Sequence, residues 1–332
     1  MIEERKIPIA VLTGFLGAGK TTLLKSILTV EHGQKIAVIE NEYGAVGIDQ
    51  HLIEHVEENL VVVQNGCICC TVRTDLVEAI INLRSKSPLI DSIVIETTGL
   101  ADPAPIVQTL VSHPKIKHLV ELHAVITVVD AEQIELNLSE RIPEFASQIA
   151  TADLMVLSKI DRCDPGTHES RTSILKRLNP YAPIIAVQPG DVQIPRIFER
   201  KLFGQLPIRF LPVARDATVP DHTHSQVHSR VFEVVGTMDR DRLEVFLNQF
   251  LKSFSKYIFR AKGIVHIQGE TRPVLIQIVR HVFEVGFCDV QSGPDSINRF
   301  VMIASSDFFF DSFQEWLEIA RSDPHWRNRL NR

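Results

Sequence analysis

Cysteine is scarce in this sequence, basic charge is not in excess, and no apolar run is long. Each shortage excludes something. Of five cysteines in 332 residues, three (Cys67, Cys69 and Cys70) crowd into four positions. An odd, clustered set does not make a disulfide framework, and in a reducing cytosol it more often means metal or redox chemistry. A net charge of −6 without a basic run leaves no electrostatic footprint for nucleic acid. Glu121 and His123 break the stretch from Leu119 to Val129, so nothing there spans a membrane. Met1 to Lys6 are polar and the apolar run after them has no small-residue cleavage site, which is not a signal peptide. A cytoplasmic setting is expected, with no nucleic-acid or membrane partner. There is no internal repeat.

What is present suffices for an ordinary core, at 45% hydrophobic and 23% charged residues. The length suggests about two domains. Residues 1–205 alternate short apolar runs with amphipathic ones. Strands are predicted at Ile7–Thr13, Lys35–Glu40, Leu60–Gln64, Ser92–Glu96, Ala124–Asp130, Leu154–Ser158 and Ile184–Val187. Helices are predicted at Thr22–Val30, Asp75–Arg84, Pro105–Val111 and Arg171–Leu178. Near-continuous Val/Ile runs between helices argue for an α/β fold, a mainly parallel sheet with helices on both faces. Ligands gather at the carboxyl ends of such strands.

Residues 206–229, rich in proline, histidine and small polar residues, read as a linker. Residues 230–322 read as a smaller α+β domain, followed by a polar tail at 323–332. Its predicted strands are Arg230–Val235, Gly263–Gln268, Val274–Arg280, Val282–Phe287 and Arg299–Ala304, with helices at Arg240–Ser253 and Phe308–Ala320.

The run GFLGAGKTT, Gly14 to Thr22, lies between an apolar strand and an amphipathic helix, the context of a phosphate-binding P-loop. Gly14, Gly17 and Gly19 let backbone N–H groups around Ala18 converge on phosphate oxygens, and the helix dipole favours the same charge. Lys20 adds a point charge for the outer phosphates; Thr21 can ligate Mg²⁺, and Thr22 closes the motif. The strand ending in Glu96 supplies a second Mg²⁺ ligand, and the N–H of Gly99 is placed to sense the terminal phosphate. Leu100 stands where many switch GTPases carry a water-orienting glutamine, so slow hydrolysis is expected. Ser158-Lys159-Ile160-Asp161 is similar to the guanine-reading N-K-x-D. Asp161 can accept from guanine's two adjacent donors, which adenine does not match. Serine in place of asparagine predicts a weaker brace on the loop.

Cys67, Cys69 and Cys70 follow the strand Leu60–Gln64, with Gly66 for a turn. Three thiols can converge on Zn²⁺ and leave a fourth position open; a redox pair or buried apolar cysteines are the alternatives. Glu40 and Glu42 sit where a switch segment meets Mg²⁺, and either could complete a metal shell or, for Glu42, activate water; a solvated acidic loop is the plainer reading. His222, His224 and His228 could take Zn²⁺ or Co²⁺ weakly, or be an exposed polar linker. His113 is a further lone candidate ligand, more often simply a surface residue.

The stretches GFLGAGKTTLL, KIAVIENEYG, NGCICC and VIETTGLADPAPIVQT together resemble the CobW-type metal-chaperone P-loop GTPases, including the YjiA-like zinc chaperones. RAKGIVHIQGE and NRFVMIA are similar to that family's C-terminal domain. The resemblance implies a P-loop NTPase fold, GTP hydrolysis to GDP with Mg²⁺, Zn²⁺ at the C-x-C-C and delivery to client metalloproteins. By this resemblance Gly14 to Thr22 hold phosphate, Lys159 and Asp161 the base, and Cys67, Cys69 and Cys70 the metal. Cobalt or iron as cargo, a nucleotide-regulated metal sensor or store, and a small-molecule kinase or ligase using ATP are the alternatives. The oligomeric state is left open.

Overall fold

The computed structural model describes residues 5–29, 35–41, 60–64, 72–86, 90–164, 166–188, 201–203, 227–287, 297–305 and 308–322. The chain divides into two compact units, Met1–Gln205 and Leu206–Arg332.

In the first unit the strands are β1 Ile7–Gly14, β2 Ile36–Asn41, β3 Leu60–Gln64, β4 Ser92–Thr97, β5 Val120–Asp130, β6 Leu154–Ser158 and β7 Ile184–Ala186. They form one sheet in the order β3-β2-β4-β1-β5-β6-β7, every described pair parallel. The helices are α1 Lys20–Thr29, α2 Val72–Lys86, α3 Ala104–Ser112, α4 Ile134–Ser139, α5 Pro143–Thr151 and α6 Thr167–Leu178. Alternate residues of β1 serve opposite faces. Ala10 and Leu12 pack with Leu23, Leu24 and Ile27 of α1. Ile9 and Val11 are buried as well, and α5 packs on β1 and β5. Burial on both faces is why these strands read as unbroken apolar runs. β1 sits at the centre, so the loop after it opens between β4 and β5.

Two features depart from the sequence expectation. β5 starts four residues before Ala124, at Val120, and so includes Glu121 and His123. Its register with β1 slips between Ile9 and Ala10, leaving His123 as the extra residue of a bulge. The His123 carbonyl accepts the backbone N–H groups of Leu202 and Phe203, both at 2.7 Å, and Glu121 takes the ammonium of Lys201. Burial raises the Glu121 carboxyl pKa, but Lys201 and His123 outweigh it and hold it below the ordinary range. α4 and α5 were not expected either. α4 has six residues, and α5, nine residues long, buries polar Ser147, Gln148 and Thr151 along with Phe145 and Ile149.

The second unit contains β8 Val227–Val235, α7 Arg240–Phe254, β9 Ile258–Val265, β10 Val274–Val279, β11 Val282–Phe287, β12 Ile297–Ser305 and α8 Phe310–Ile319. Its sheet is antiparallel, in the order β11-β10-β9-β12-β8. Leu243, Phe246, Leu247, Phe250, Phe313 and Leu317 from the helices meet Phe232, Ile276, Phe300 and Met302 from the sheet. β9 begins earlier than predicted because Arg260 and Lys262, both buried, disguise it as polar chain. β8 begins at Val227, so His228 belongs to a strand, opposite Ala304, rather than to the linker expected over 206–229.

Candidate functional site

The loop after β1 is built by steric necessity at its first residue. Gly14 pairs with Val128, and a Cβ there would stand 2.2 Å from the Val128 carbonyl oxygen, at φ +144. Only glycine fits. At Gly17 and Gly19 there is open space, and positive φ angles of +72 and +98 are what favour glycine. Ala18 is buried between them. Lys20 opens α1 and turns back, its ammonium donating to the carbonyls of Gly14 at 2.9 Å and Phe15 at 3.3 Å. Burial lowers the Lys20 pKa, and the neighbouring Glu96 charge acts the other way. Thr22 is exposed and its carbonyl accepts from Ser26.

Thr21 Oγ1 donates to Glu96 Oε1 at 2.8 Å, and Glu40 stands beside Glu96 in the register of β2 and β4. A hydroxyl and a carboxylate brought together at the mouth of a phosphate loop fit Mg²⁺, a hard cation that takes oxygen ligands. Thr21 and Glu96 would hold it, and it would neutralise phosphate charge when bound.

Beyond Glu96, Thr97 Oγ1 donates to Thr13 Oγ1 at 2.8 Å and fixes the start of the next loop. Gly99 lies directly on the phosphate loop, where a Cβ would come within 2.5 Å of the Leu16 side chain and 2.8 Å of its Cα. Its carbonyl accepts from Gln148 Nε2 at 3.0 Å. Leu100 is 56% exposed and offers no group that could orient water.

At the end of β6 stands Ser158, where the sequence predicts a brace weaker than that of asparagine. Its hydroxyl reaches the Ala18 carbonyl at 2.7 Å, and Val129 O lies at 3.2 Å, so serine does brace this loop to the phosphate loop. Lys159 adopts φ +55 and its ammonium pairs with Asp130 Oδ2 at 2.7 Å. Asp130 Oδ1 meanwhile accepts the N–H of Glu132. Asp161 follows in a 3₁₀ turn, Ile160–Arg162, and is exposed. Sequence reasoning gave Asp130 no role. Its one signal was a carboxylate ending an apolar strand, the same signal that marked Glu96.

Cys67, Cys69, Cys70, Glu42, His222 and His224 lie outside the described residues. His113 ends α3, and its Nδ1 accepts the N–H of Lys115 at 3.3 Å, a turn-stabilising contact. His228 is exposed on β8 of the second unit. Among the described residues no three or more His, Cys, Asp or Glu side chains converge as a metal-ion group.

Residues 8–186 match the CobW/HypB/UreG nucleotide-binding domain, and residues 227–320 match the cobalamin synthesis protein cobW C-terminal domain. The zinc chaperone YjiA of Escherichia coli (strain K12) is 35% identical over 284 residues, 83% of this chain and 87% of that protein. The zinc chaperone CobW of Pseudomonas aeruginosa is 32% identical over 318 residues, 85% of this chain and 83% of that one. The crystal structure of Zn(II)-bound YjiA GTPase from E. coli superposes with a TM-score of 0.77 at 28% identity, covering 96% of this chain and all of that chain (100%). Matching domains in both units, with a phosphate loop, a strand-end carboxylate and a braced base-side loop, lead to one conclusion: this chain belongs to the CobW/HypB/UreG family and carries a CobW-type C-terminal domain.

Proposed function

We propose that this protein hydrolyses GTP and uses the cycle to hold zinc and hand it to a client metalloprotein in the cytoplasm. The observation that carries the nucleotide half is the 2.8 Å contact of Thr21 with Glu96, made beside Lys20 where β1 and β4 end. A hydroxyl, a carboxylate and an ammonium so placed suit a Mg²⁺-bound phosphate chain. The zinc half is supported by relatives called zinc chaperones and by a Schizosaccharomyces pombe relative called zinc-regulated GTPase metalloprotein activator 1, which is 35% identical over 205 residues. The chain's own thiols agree with it. Cys67, Cys69 and Cys70 offer soft ligands that suit Zn²⁺, and three leave a position through which a receiving protein can take the ion. Among the described residues no helix is long and apolar enough to cross a membrane.

In this reading Asp161 selects guanine, while Gly99 and Glu42 respond to the terminal phosphate. Any change they impose on the cysteine segment makes zinc affinity depend on nucleotide, and linkage requires the reverse dependence of equal size. The test is a competition measurement of Zn²⁺ affinity in the nucleotide-free protein, with GDP, and with a non-hydrolysable GTP analogue. At least a fivefold difference between the nucleotide states is expected, about 1 kcal/mol of coupling. Equal affinities in all three would leave zinc binding uncoupled and sink the chaperone cycle. A Cys67/Cys69/Cys70→Ser variant that binds Zn²⁺ as tightly as the parent would move the metal site elsewhere.

A further inference from the structure

Gln148 of α5 is fully buried, at 0% exposure, and both of its amide protons go to one loop. Its Nε2 donates to Gly99 O at 3.0 Å and to Ala101 O at 3.1 Å. Its Oε1 is buried with no hydrogen-bond partner among the described residues. A methionine or leucine would fill the same space without the bare Oε1 but would take these donors from the Gly99 and Ala101 carbonyls, so packing alone does not explain an amide here. What the amide adds is its two donors.

The surrounding contacts make the grip rigid. The Gln148 backbone carbonyl accepts Thr127 Oγ1 at 2.8 Å, which fixes this turn of α5 to β5. One residue earlier, Ser147 Oγ donates to Asp102 Oδ1 at 2.7 Å, and the same oxygen accepts the Ala104 N–H at 3.0 Å. Phe145 sets its ring edge-on to Phe15 of the phosphate loop, with centroids 6.3 Å apart. One short helix therefore touches the phosphate loop and holds the β4 loop at Gly99, Ala101 and Asp102. The N–H of Gly99 lies between two pins, the Thr97–Thr13 hydroxyl contact before it and the Gln148 amide on its own carbonyl after it. A glycine left unpinned would sample many orientations of that N–H.

We propose that Gln148 is a positioning residue that, by fixing the peptide after Gly99, aims the Gly99 N–H at the terminal phosphate, so that GTP is told from GDP through this buried amide. The inference rests on reading Gly99 as the phosphate-sensing peptide. Only GTP carries the oxygen that this N–H would meet, so loosening the pin weakens GTP and leaves GDP alone.

The test compares affinities for Mg²⁺ with GDP and with a non-hydrolysable GTP analogue in full-length Gln148→Met and Gly99→Ala variants. Methionine keeps the length and the packing while removing both donors and the bare acceptor. For Gln148→Met, a loss of at least tenfold for the GTP analogue is expected, with GDP changed less than twofold and kcat reduced. Equal weakening of both nucleotides, or of neither, overturns the proposal, because a merely structural residue would not separate them. If Gly99→Ala leaves the GTP-to-GDP ratio unchanged, the sensor reading fails and this inference with it. If Gly99→Ala collapses the ratio while Gln148→Met does not, only the inference about Gln148 fails. Should Gln148→Met not fold, Gln148→Asn keeps the amide, withdraws it by one methylene and is held to the same ratio.

Discussion

At Gly14 the central strand and the phosphate loop meet with no room for a methyl group, since the 2.2 Å approach is to backbone that cannot step aside. Gly14→Ala is expected to cost about 3 kcal/mol, the upper end of ordinary overpacking. Gly17→Ala, resisted only by its positive φ, should cost roughly 1–2 kcal/mol. Denaturant midpoints of the two variants read the difference, and equal losses would show that crowding at Val128 is not the cause. Lys20 gives a second prediction. Its buried ammonium loses a proton more readily than it would in the unfolded chain. In the alkaline window between the lowered folded value and the ordinary lysine value, the unfolded state binds more protons. The contribution of Lys20 to stability therefore rises with pH across that window. Phosphate oxygens reverse the preference. GDP binding should take up a proton there and weaken as pH rises through it. Calorimetric titration in two buffers of different ionisation enthalpy measures the uptake, and Lys20→Met should abolish it; an uptake that survives the substitution belongs to another group.

Between elements, single polar side chains do much of the fastening. Asn179, which caps the end of α6, is 0% exposed and satisfies four backbone groups. It donates to Ile149 O and Ala152 O at the end of α5, and accepts from Tyr181 and Ala182 before β7. Asn179→Ala takes its partner from Ala152 O, Tyr181 N and Ala182 N, while Ile149 O keeps the Ala152 N–H; at roughly 1–3 kcal/mol for each left without water the total loss should be about 3 kcal/mol. Thermal unfolding of the variant measures it, and a loss under about 1 kcal/mol would mean water replaces the amide. In the second unit Asn298 plays the same part, holding His266 N, Val234 O and Gly236 O. Ser158 fastens more lightly. Ser158→Ala should cost about 1 kcal/mol and weaken GTP and GDP alike, because the Ala18 carbonyl it holds belongs to the shared phosphate loop. A loss confined to GTP would contradict that placement and assign the contact to the sensing loop.

Taken whole, the chain has two cores of different kinds. One is a parallel sheet with aliphatic layers on both faces; the other is an antiparallel sheet whose helix face is crowded with phenylalanine. Only the first contains the candidate nucleotide site. A ligand that binds the folded form at a hundred times its Kd adds about 2.7 kcal/mol to the stability of the part that binds it. Differential scanning calorimetry should resolve two transitions, of which Mg²⁺ with saturating GDP raises one. A single transition that moves as a whole would show that the two units unfold together.

Features whose physics is local can be read along the chain. Glycines that must curl, a lysine and threonine at fixed offsets and a carboxylate closing an apolar strand depend on neighbours a few residues away. They were legible at Gly14 to Thr22 and at Glu96. So were the seven strands of the first sheet, and burial on both faces, as in β1, β4 and β6, is what leaves continuous apolar runs. The extent of β5 and β9 was not legible, since Glu121, His123, Arg260 and Lys262 look like chain outside a strand until partners or burial are supplied. Tertiary structure alone decided the rest. Ser158 braces a carbonyl 140 residues away, Gln148 holds one 49 residues away, and Lys159 finds Asp130 29 residues away. A hydrogen bond is specific to a few tenths of an ångström, and nothing in the spacing of residues along the chain encodes such a meeting. It exists only once the parallel sheet has brought the ends of β1, β4, β5 and β6 to one edge.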